Sequence, residues 1–429
     1  MTAPEDTTLD LGIPELDENA FERFVDLEPV DGARARVFDV PESISAMGYG
    51  SHQFFRYYGK FPSLVGREII SNFAVPGLPV LDIFSGSGTT QVEAQIAGFR
   101  SYGLDINPLS VLASNAKTGY YDERALRLAF TEVLGKADQI STAFAALAGV
   151  ADPDLKLSAK QPFLDKWFTT EVQHGLAALR SGLLALPDSD ERDFLTTCFL
   201  AIVRRCSNAF DGEVRPHINR EKLPKAPRRA FVRKFEEMID GFRELDGMRP
   251  ANVSSLTLIG DNRDAKSYEA LGADRAGLIV SHPPYLNSFN YLAVFSLEFA
   301  WSDGFENVWR GWNRKQINAL EQRAHPATNA QLLAAYYEGL HEAHARAIER
   351  LAPGGTLAVV VGDATIHGKL EPVHRIVWDD LREQGLVPTE FWYRTTHYGI
   401  GKYAYSGRAD YHGEAEKKDA IMFLRRPME

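Results

Sequence analysis

The stretch Pro79-Val-Leu-Asp-Ile-Phe-Ser-Gly-Ser-Gly-Thr-Thr90 joins a short apolar run to a glycine loop and to the start of a helical pattern. Gly86 and Gly88 permit tight backbone angles and let the main chain approach a ligand closely. The helix that follows near Thr90 would direct its free N–H groups toward that ligand. A phosphate-binding loop does not fit, because no Gly-Lys-Ser/Thr follows, and the dinucleotide-binding fingerprint fits poorly, because its third glycine is absent.

An acidic residue follows at the end of the next apolar run, Ser101-Tyr-Gly-Leu-Asp105. In dinucleotide-binding folds a carboxylate at this point pairs with ribose hydroxyls. The glycine loop and Asp105 are about one strand–helix unit apart, and together they predict a nucleoside-cofactor site. The alternative is structural: a pair of turn glycines and a helix N-cap at Asp105.

Further apolar runs predict a mostly parallel sheet. Residues 256–261, 276–281 and 356–363 are nearly continuous in apolar residues, as strands buried on both faces are. Amphipathic helical patterns lie between such runs, for example at 331–351 and 372–384. The expected fold class is α/β, with the ligand beyond the carboxyl ends of the strands.

The domain organisation is predicted from the place where the alternation of strand and helix patterns stops. Residues 121–250 contain several helical patterns and no strong strand, which we interpret as a helical insertion; the alternative is that some of these helices cover the sheet. Residues 41–120 and 251–429 would then form the main domain. Residues 1–40 contain eleven acidic and three basic residues, a balance typical of a solvated or disordered tail.

Composition narrows the class of protein. The chain has 429 residues, 45% hydrophobic and 24% charged, as globular proteins do. No apolar run approaches the roughly 18 residues of a membrane helix, and the first residues lack a secretion-signal pattern. Cys198 and Cys206 have no metal-binding spacing, which predicts reduced thiols, a cytoplasmic location and no metal. The net charge of −11 argues against nucleic acid, but most of it lies in the acidic first 40 residues.

A second loop, Ser281-His-Pro-Pro-Tyr285, follows a predicted buried strand. Two consecutive prolines extend the backbone and remove two N–H donors, so the groups that project are carbonyl acceptors. Such a loop suits a planar NH2 group, because a side chain and the Pro283 carbonyl would accept its two protons and orient its nitrogen. Tyr285 offers a ring on which a base can stack. The alternative is a rigid loop with an aromatic plug.

These two loops, together with Lys60-Phe-Pro62 and Gly260-Asp-Asn-Arg263, resemble the amino-group DNA methyltransferases, which modify cytosine N4 or adenine N6. The resemblance covers about residues 45–120 and 255–425. It implies a Rossmann-like, mostly parallel seven-stranded sheet with helices on both faces. The order of the motifs excludes the rearranged forms of the family that begin with Pro-Pro-Tyr.

The resemblance also implies a cofactor, S-adenosylmethionine, and the residues that hold it. The segment from Lys60 to Pro62 would lie beside the methionine part, and Asp261 near the adenine. The implied cofactor-binding residues are Lys60, Phe61, Pro62, Asp82, Phe84, Gly86, Gly88, Thr89, Asp105 and Asp261. The implied catalytic residues are Ser281, His282, Pro283, Pro284 and Tyr285.

One position departs from the family pattern. The residue before Pro-Pro is usually Asp, Asn or Ser, whereas this chain has His282, with Ser281 one step earlier. Neutral imidazole can accept an amine proton and imidazolium cannot, so activity is expected to fall below about pH 6.5. The loop at 286–291 reads like that of the serine-type members, which favours cytosine N4. Adenine N6, an RNA amine and an inactive cofactor-binding DNA-binding protein remain alternatives.

A basic segment predicts the nucleic-acid surface. Residues 204–234 hold ten basic and three acidic residues, and a basic loop leading into a basic helix suits phosphate contacts. The alternative is a solvated charged face. The helical insertion would be the target-recognition region, acting on a flipped-out base of DNA, and a restriction–modification endonuclease is a candidate partner. The candidate contacts are Arg215, Arg220, Lys222, Lys225, Arg228 and Arg229.

Overall fold

The computed structural model describes residues 23–40, 46–60, 62–146, 161–211, 213–269, 271–272, 274–286, 290–312, 328–366, 369–394 and 419–428. The strands are β1 (Phe24–Val30), β2 (Ala33–Phe38), β3 (Val80–Asp82), β4 (Ser101–Asp105), β5 (Ser255–Ile259), β6 (Ala276–Ser281), β7 (Leu351–Gly362), β8 (Ala364–Ile366), β9 (Lys369–Glu371), β10 (Val387–Arg394) and β11 (Asp419–Arg425).

The helices before β6 are α1 (Ser63–Phe73), α2 (Thr89–Ile96), α3 (Pro108–Thr118), α4 (Glu123–Ala146), α5 (Gln161–Trp167), α6 (Thr170–Ala185), α7 (Asp190–Cys206), α8 (Pro227–Met248) and α9 (Ala265–Glu269). Those after it are α10 (Tyr291–Val294), α11 (Ser296–Trp301), α12 (Glu306–Trp309), α13 (Asn329–Arg350) and α14 (Val373–Glu383). Two 3-10 helices span Ala46–Gly48 and Gly50–Gln53.

One nine-stranded sheet organises the fold, in the order β1-β2-β10-β11-β7-β6-β3-β4-β5. The neighbours from β7 to β5 run parallel, as β2 and β10 do. Strand β11 is antiparallel to both of its neighbours, and β1 is antiparallel to β2. The predicted α/β class and mostly parallel sheet are confirmed, with nine strands instead of seven.

The prediction of a tail over residues 1–40 is wrong for β1 and β2. Strand β2 pairs in parallel with β10, and its Ala33, Ala35 and Phe38 are buried. Seven of the eleven acidic residues that suggested a tail precede β1, in residues 1–22, so the average composition of residues 1–40 concealed the strands. Residues 1–22 lie outside the described part of the chain.

The described part of the segment from 123 to 248 consists of helices joined by loops, with an isolated bridge between Ala209 and Ile218 in the loop before α8. Helix α4 packs against α6, α7 packs against α8 and α3, and α8 packs against the second 3-10 helix. Helices α5 and α6 are separate, because Thr169 is the N-cap of α6 and its hydroxyl accepts from Val172 N. The role of this region in target recognition remains a prediction.

The sheet positions the site through its loops. Strands β3, β4, β5 and β6 are adjacent and parallel, so the loops after them meet at one edge of the sheet. Strand β6 is buried along its whole length. Within the described residues, no helix combines the length and apolar character needed to cross a bilayer.

Candidate cofactor and target-base site

A cavity of about 480 Å³ lies at this edge of the sheet. The glycine loop after β3 and the segments after β4 and β5 form one side of it. The loop after β6 and one face of α13 form another, and the segment before α1 closes a third. The cavity therefore joins both loops that the sequence singled out.

The two glycines of the loop adopt left-handed backbone conformations. Gly86 has φ 50° and Gly88 has φ 80°, where a side chain is strained. A Cβ atom at Gly88 would lie 3.0 Å from Cα of Ser114 on α3, and one at Gly86 would lie 3.3 Å from the Tyr57 ring. Glycine is thus required for the turn and for close packing behind it.

Asp82 holds the loop from beneath. Its Oδ1 accepts from Phe84 N at 2.9 Å, and its Oδ2 accepts from the Thr90 hydroxyl. The carboxyl is buried, which raises the pKa of Asp82 to about 7. Because Asp82 is absent from the cavity wall, the structure makes it a support for the loop and places Phe84 in the wall instead.

Asp105 connects the glycine loop to the next segment. Its Oδ2 accepts from Gly86 N and its Oδ1 from Asn107 N, both at 2.8 Å. Burial raises the pKa of Asp105 to about 6. Asp105 lines the cavity, and each carboxylate oxygen has a second lone pair for a hydroxyl. The N-cap of α3 is Asn107, not Asp105, so that part of the structural alternative is wrong, and the role of Asp105 in cofactor binding remains a prediction.

The Lys60 segment contributes at one end of the cavity. Lys60 lies in the wall, and its Nζ donates to the His52 carbonyl at 2.9 Å. Pro62 is the N-cap of α1 and does not line the cavity. Phe61 lies outside the described residues.

Asp261 lies in the wall at another point. Arg263 grips its carboxylate with two hydrogen bonds, Nε to Oδ1 at 2.9 Å and Nη2 to Oδ2 at 2.7 Å. The neighbouring Asn262 donates to the Ile83 carbonyl at 2.7 Å, which ties this segment to the end of β3. The carboxylate is therefore held in one orientation beside the cavity.

The cavity suits a nucleoside–amino acid cofactor. The Thr89 hydroxyl lines it and is buried without a hydrogen-bond partner in the described structure, as expected of a group that a ligand would satisfy. Its volume lies within the usual range of small-molecule sites. Lys60 offers a cation and Asp105 a carboxylate, the groups that a cofactor carboxylate and ribose require. The residues present thus fit S-adenosylmethionine.

The loop after β6 brings His282, Pro283, Pro284 and Tyr285 into the same cavity. The His282 and Tyr285 rings meet edge to face, with centroids 5.4 Å apart. Burial lowers the pKa of His282 to about 4. The imidazole is therefore neutral well below pH 6.5 and keeps an acceptor nitrogen.

Ser281 does not reach the cavity. It is the last residue of β6, fully buried, and its Oγ lies 2.9 Å from Nε2 of His344 on α13. Because successive side chains of a strand point to opposite faces, Ser281 and His282 cannot both face the ligand. The prediction that Ser281 accepts an amine proton is therefore wrong.

Three curated proteins are similar to this chain in sequence. M.MvaI of Kocuria varians is 24% identical over 281 residues, 60% of this chain and 59% of that protein. M.BsoBI of Geobacillus stearothermophilus is 21% identical over 325 residues, 71% of this chain and 62% of that protein. M.MjaII of Methanocaldococcus jannaschii is 33% identical over 127 residues, 29% of this chain and 23% of that protein. All three are named Type II methyltransferases.

The chain is a homologue of proteins named Type II methyltransferases. It spans 59% and 62% of the length of the first two relatives. No family model matches it.

The basic segment of this methyltransferase homologue divides into exposed and engaged residues. Arg215 lines the cavity, and Arg220, Lys225 and Arg229 are exposed. Lys222 instead bonds within the loop, to the carbonyls of Arg204 and Ala209 and to the Asp211 carboxylate. The prediction that Lys222 contacts a DNA phosphate is therefore wrong, because its ammonium group is engaged in hydrogen bonds that hold the loop together.

Arg228 is the remaining member of the predicted set. It lies at the start of α8 and donates Nε and Nη2 to the Asp138 carboxylate at 2.8 and 3.0 Å. The pair is half exposed, so the guanidinium reaches solvent but is already oriented toward α4. A phosphate contact by Arg228 would compete with Asp138.

Sequence reasoning missed residues that shape the wall. The Tyr57 and Tyr291 rings stack at 5.7 Å, and both line the cavity of this methyltransferase homologue. A Cβ atom at Gly362, the last residue of β7, would lie 2.8 Å from the Tyr285 ring. A glycine at the end of a buried apolar strand was the signal that could have found this packing.

Proposed function

We propose that this protein transfers a methyl group from S-adenosylmethionine to an exocyclic amine of DNA, with cytosine N4 as the target. The observation that carries the proposal is that one cavity joins the glycine loop, Asp105 and the loop from His282 to Tyr285. One part suits a nucleoside–amino acid cofactor and the other suits a planar amine. The relatives named Type II methyltransferases support DNA as the substrate.

At the cofactor end, each residue has a separate task. Gly86 and Gly88 let the backbone approach the ligand, and the Thr89 hydroxyl supplies a hydrogen bond. Asp105 accepts from the ribose hydroxyls while it remains bonded to Gly86 N. Lys60 faces the amino-acid part. The chemistry that the bound cofactor supplies is an activated sulfonium methyl, and no metal is needed for that.

At the amine end, the loop accepts protons and offers no competing donor from its prolines. The Pro283 carbonyl takes one amine hydrogen bond and the neutral His282 imidazole takes the other. This arrangement orients the nitrogen lone pair toward the methyl group. Tyr285 supports the base by stacking, and Gly362 leaves room for the Tyr285 ring.

The choice of cytosine N4 rests on the serine-type sequence at 286–291, of which 287–289 lie outside the described residues. With Ser281 turned away, His282 is the side chain left to accept the amine proton. The base reaches this enclosed site only when it leaves the duplex, so base flipping is part of the proposal.

Incubation with S-adenosylmethionine labelled in its methyl group, and with unmethylated DNA or with RNA, tests the proposal. We expect label in DNA and a loss of rate of about 100-fold in His282→Ala. His174→Ala changes an exposed histidine of α6 and serves as the matched control. Label in RNA alone would contradict the proposal, as would cofactor binding without any transfer.

A further inference from the structure

The loop between α7 and α8 exposes large apolar side chains. Leu223 is 89% exposed, Phe210 is 47% exposed and Ile218 is 45% exposed. Single exposed apolar residues need no explanation, but three on one loop make that loop a candidate interaction surface. Leu223 is the most exposed large apolar residue in the part of the chain that the structure describes.

The loop is held in place at several points. Phe210 N donates to the His217 carbonyl and Asn219 N donates to the Asn208 carbonyl, both at 2.8 Å. The Lys222 ammonium, next to Leu223 in the chain, is fastened to the base of the same loop. Leu223 therefore projects from an anchored framework.

A buried arginine also holds the part of the loop around Glu213 and Val214. Arg204 donates to the Glu213 and Val214 carbonyls at 2.7 and 2.9 Å. The Tyr58 hydroxyl donates to the same Glu213 carbonyl at 2.9 Å. Because Tyr58 belongs to the segment that leads to Lys60, these contacts tie the loop to the wall of the cavity.

The charges beside Leu223 favour a nucleic-acid partner. Arg220 and Lys225 flank it in the chain and are exposed, as is the single acid between them, Glu221, and Arg215 of the same loop lines the cavity. Cations on both sides of an apolar tip match a duplex, which offers phosphates outside and stacked bases within. An apolar protein partner would not require the flanking cations.

A flipped base leaves a gap in the duplex. Extrusion costs a few kcal/mol of stacking and pairing, and an inserted apolar side chain offsets part of that cost. We propose that Leu223 enters double-stranded DNA beside the extruded nucleotide, while Arg220 and Lys225 contact the neighbouring phosphates. This inference rests on the proposed function.

The test compares Leu223→Ser with wild type on two synthetic duplexes that carry the methylated site, once sequencing of modified DNA has located it. One duplex is fully paired, and the other has an abasic nucleotide opposite the target base, which lowers the cost of extrusion. We expect Leu223→Ser to lose about tenfold in kcat/KM on the paired duplex and to recover most of that loss on the abasic one. Leu128→Ser, at an exposed leucine of α4, is the matched control.

The outcomes separate the two proposals. If wild type methylates the paired duplex and Leu223→Ser does so equally well, or loses equally on both duplexes, the wedge is refuted and the proposed function stands. If wild type methylates no DNA, the proposed function fails and the wedge fails with it. The insertion of Leu223 is supported if the kcat/KM of Leu223→Ser is low on the paired duplex and returns toward the wild-type value on the abasic duplex, while Leu128→Ser resembles wild type on both.

Discussion

Substitution of Gly88 by alanine perturbs the cofactor loop at a point where the structure allows a magnitude. The new Cβ atom would lie 2.9 Å from Cβ and 3.0 Å from Cα of Ser114, and the backbone would keep φ near 80°. A non-glycine residue in this conformation costs about 1–2 kcal/mol, and overpacking costs about 1–3 kcal/mol. Together they predict a loss of about 2–5 kcal/mol of unfolding free energy.

Urea unfolding followed by far-UV circular dichroism measures this loss, and calorimetric titration with S-adenosylmethionine measures its effect on binding. Part of the strain will be relieved by movement of the loop, so binding should weaken even where the fold survives. Gly135→Ala is the matched control, because Gly135 is exposed on α4 with nothing within 4 Å of a Cβ atom. Alanine in a helix interior should stabilise it by about 0.5–1 kcal/mol. A Gly88→Ala protein as stable as wild type with unchanged cofactor affinity would refute the packing described for the loop.

Further predictions concern the pH profile, the carboxylate and the basic loop. Because burial lowers the pKa of His282 to about 4, its acceptor form persists on acidification. Burial also raises the pKa of Asp105 to about 6, so cofactor binding should weaken near pH 6, and the rate is to be measured at saturating S-adenosylmethionine on samples whose fold has been checked. The ratio of the wild-type rate to the His282→Ala rate should then hold down to pH 5.5 and fall only as pH nears 4; a fall in this ratio centred at pH 6.5 would contradict the prediction. Asp105→Asn should weaken cofactor binding about tenfold to a hundredfold in calorimetric titration. The asparagine side chain has only one oxygen, so its NH2 group would face one of the two backbone N–H donors that Asp105 now accepts from. Unchanged affinity would exclude Asp105 from the site. Lys222→Ala should lose about 1–3 kcal/mol of stability in urea unfolding, since it removes the hydrogen bonds of Lys222 to the Ala209 carbonyl and to the Asp211 carboxylate, whereas Arg220→Ala should keep stability and lower the salt dependence of DNA binding by about one phosphate contact. If both substitutions had the same effect on stability and on the salt dependence of DNA binding, the assignment of a structural role to Lys222 and a phosphate contact to Arg220 would be contradicted.

The parts that sequence predicted well are local. The glycine loop, Asp105 and the Pro-Pro-Tyr loop each depend on a few consecutive residues whose backbone preferences determine their shape. Continuous apolar runs identified β3, β6 and β7 because these strands are buried on both faces, and they also identified the edge strand β5, which is only partly buried. These features sufficed to bring the cofactor loop and the amine loop to one edge of the sheet.

The parts that failed depend on partners distant in sequence. Whether Ser281 or His282 faces the cavity depends on the register of β6 and on His344, 63 residues away. The basic run gave no sign that Lys222 bonds the loop or that Arg228 is paired 90 residues away with Asp138. Strands β1 and β2 escaped detection because the acidic residues that precede them dominated the composition of residues 1–40.

Nucleoside analysis by mass spectrometry, after incubation of the protein with S-adenosylmethionine and unmethylated DNA and complete digestion, tests the central claim most directly. We predict N4-methylcytosine in the digest, with a strong reduction in His282→Ala. N6-methyladenine would contradict the assignment of the base and leave amine methylation intact. No methylated nucleoside, from protein that binds the cofactor, would contradict the claim that the two loops form one methyl-transfer site.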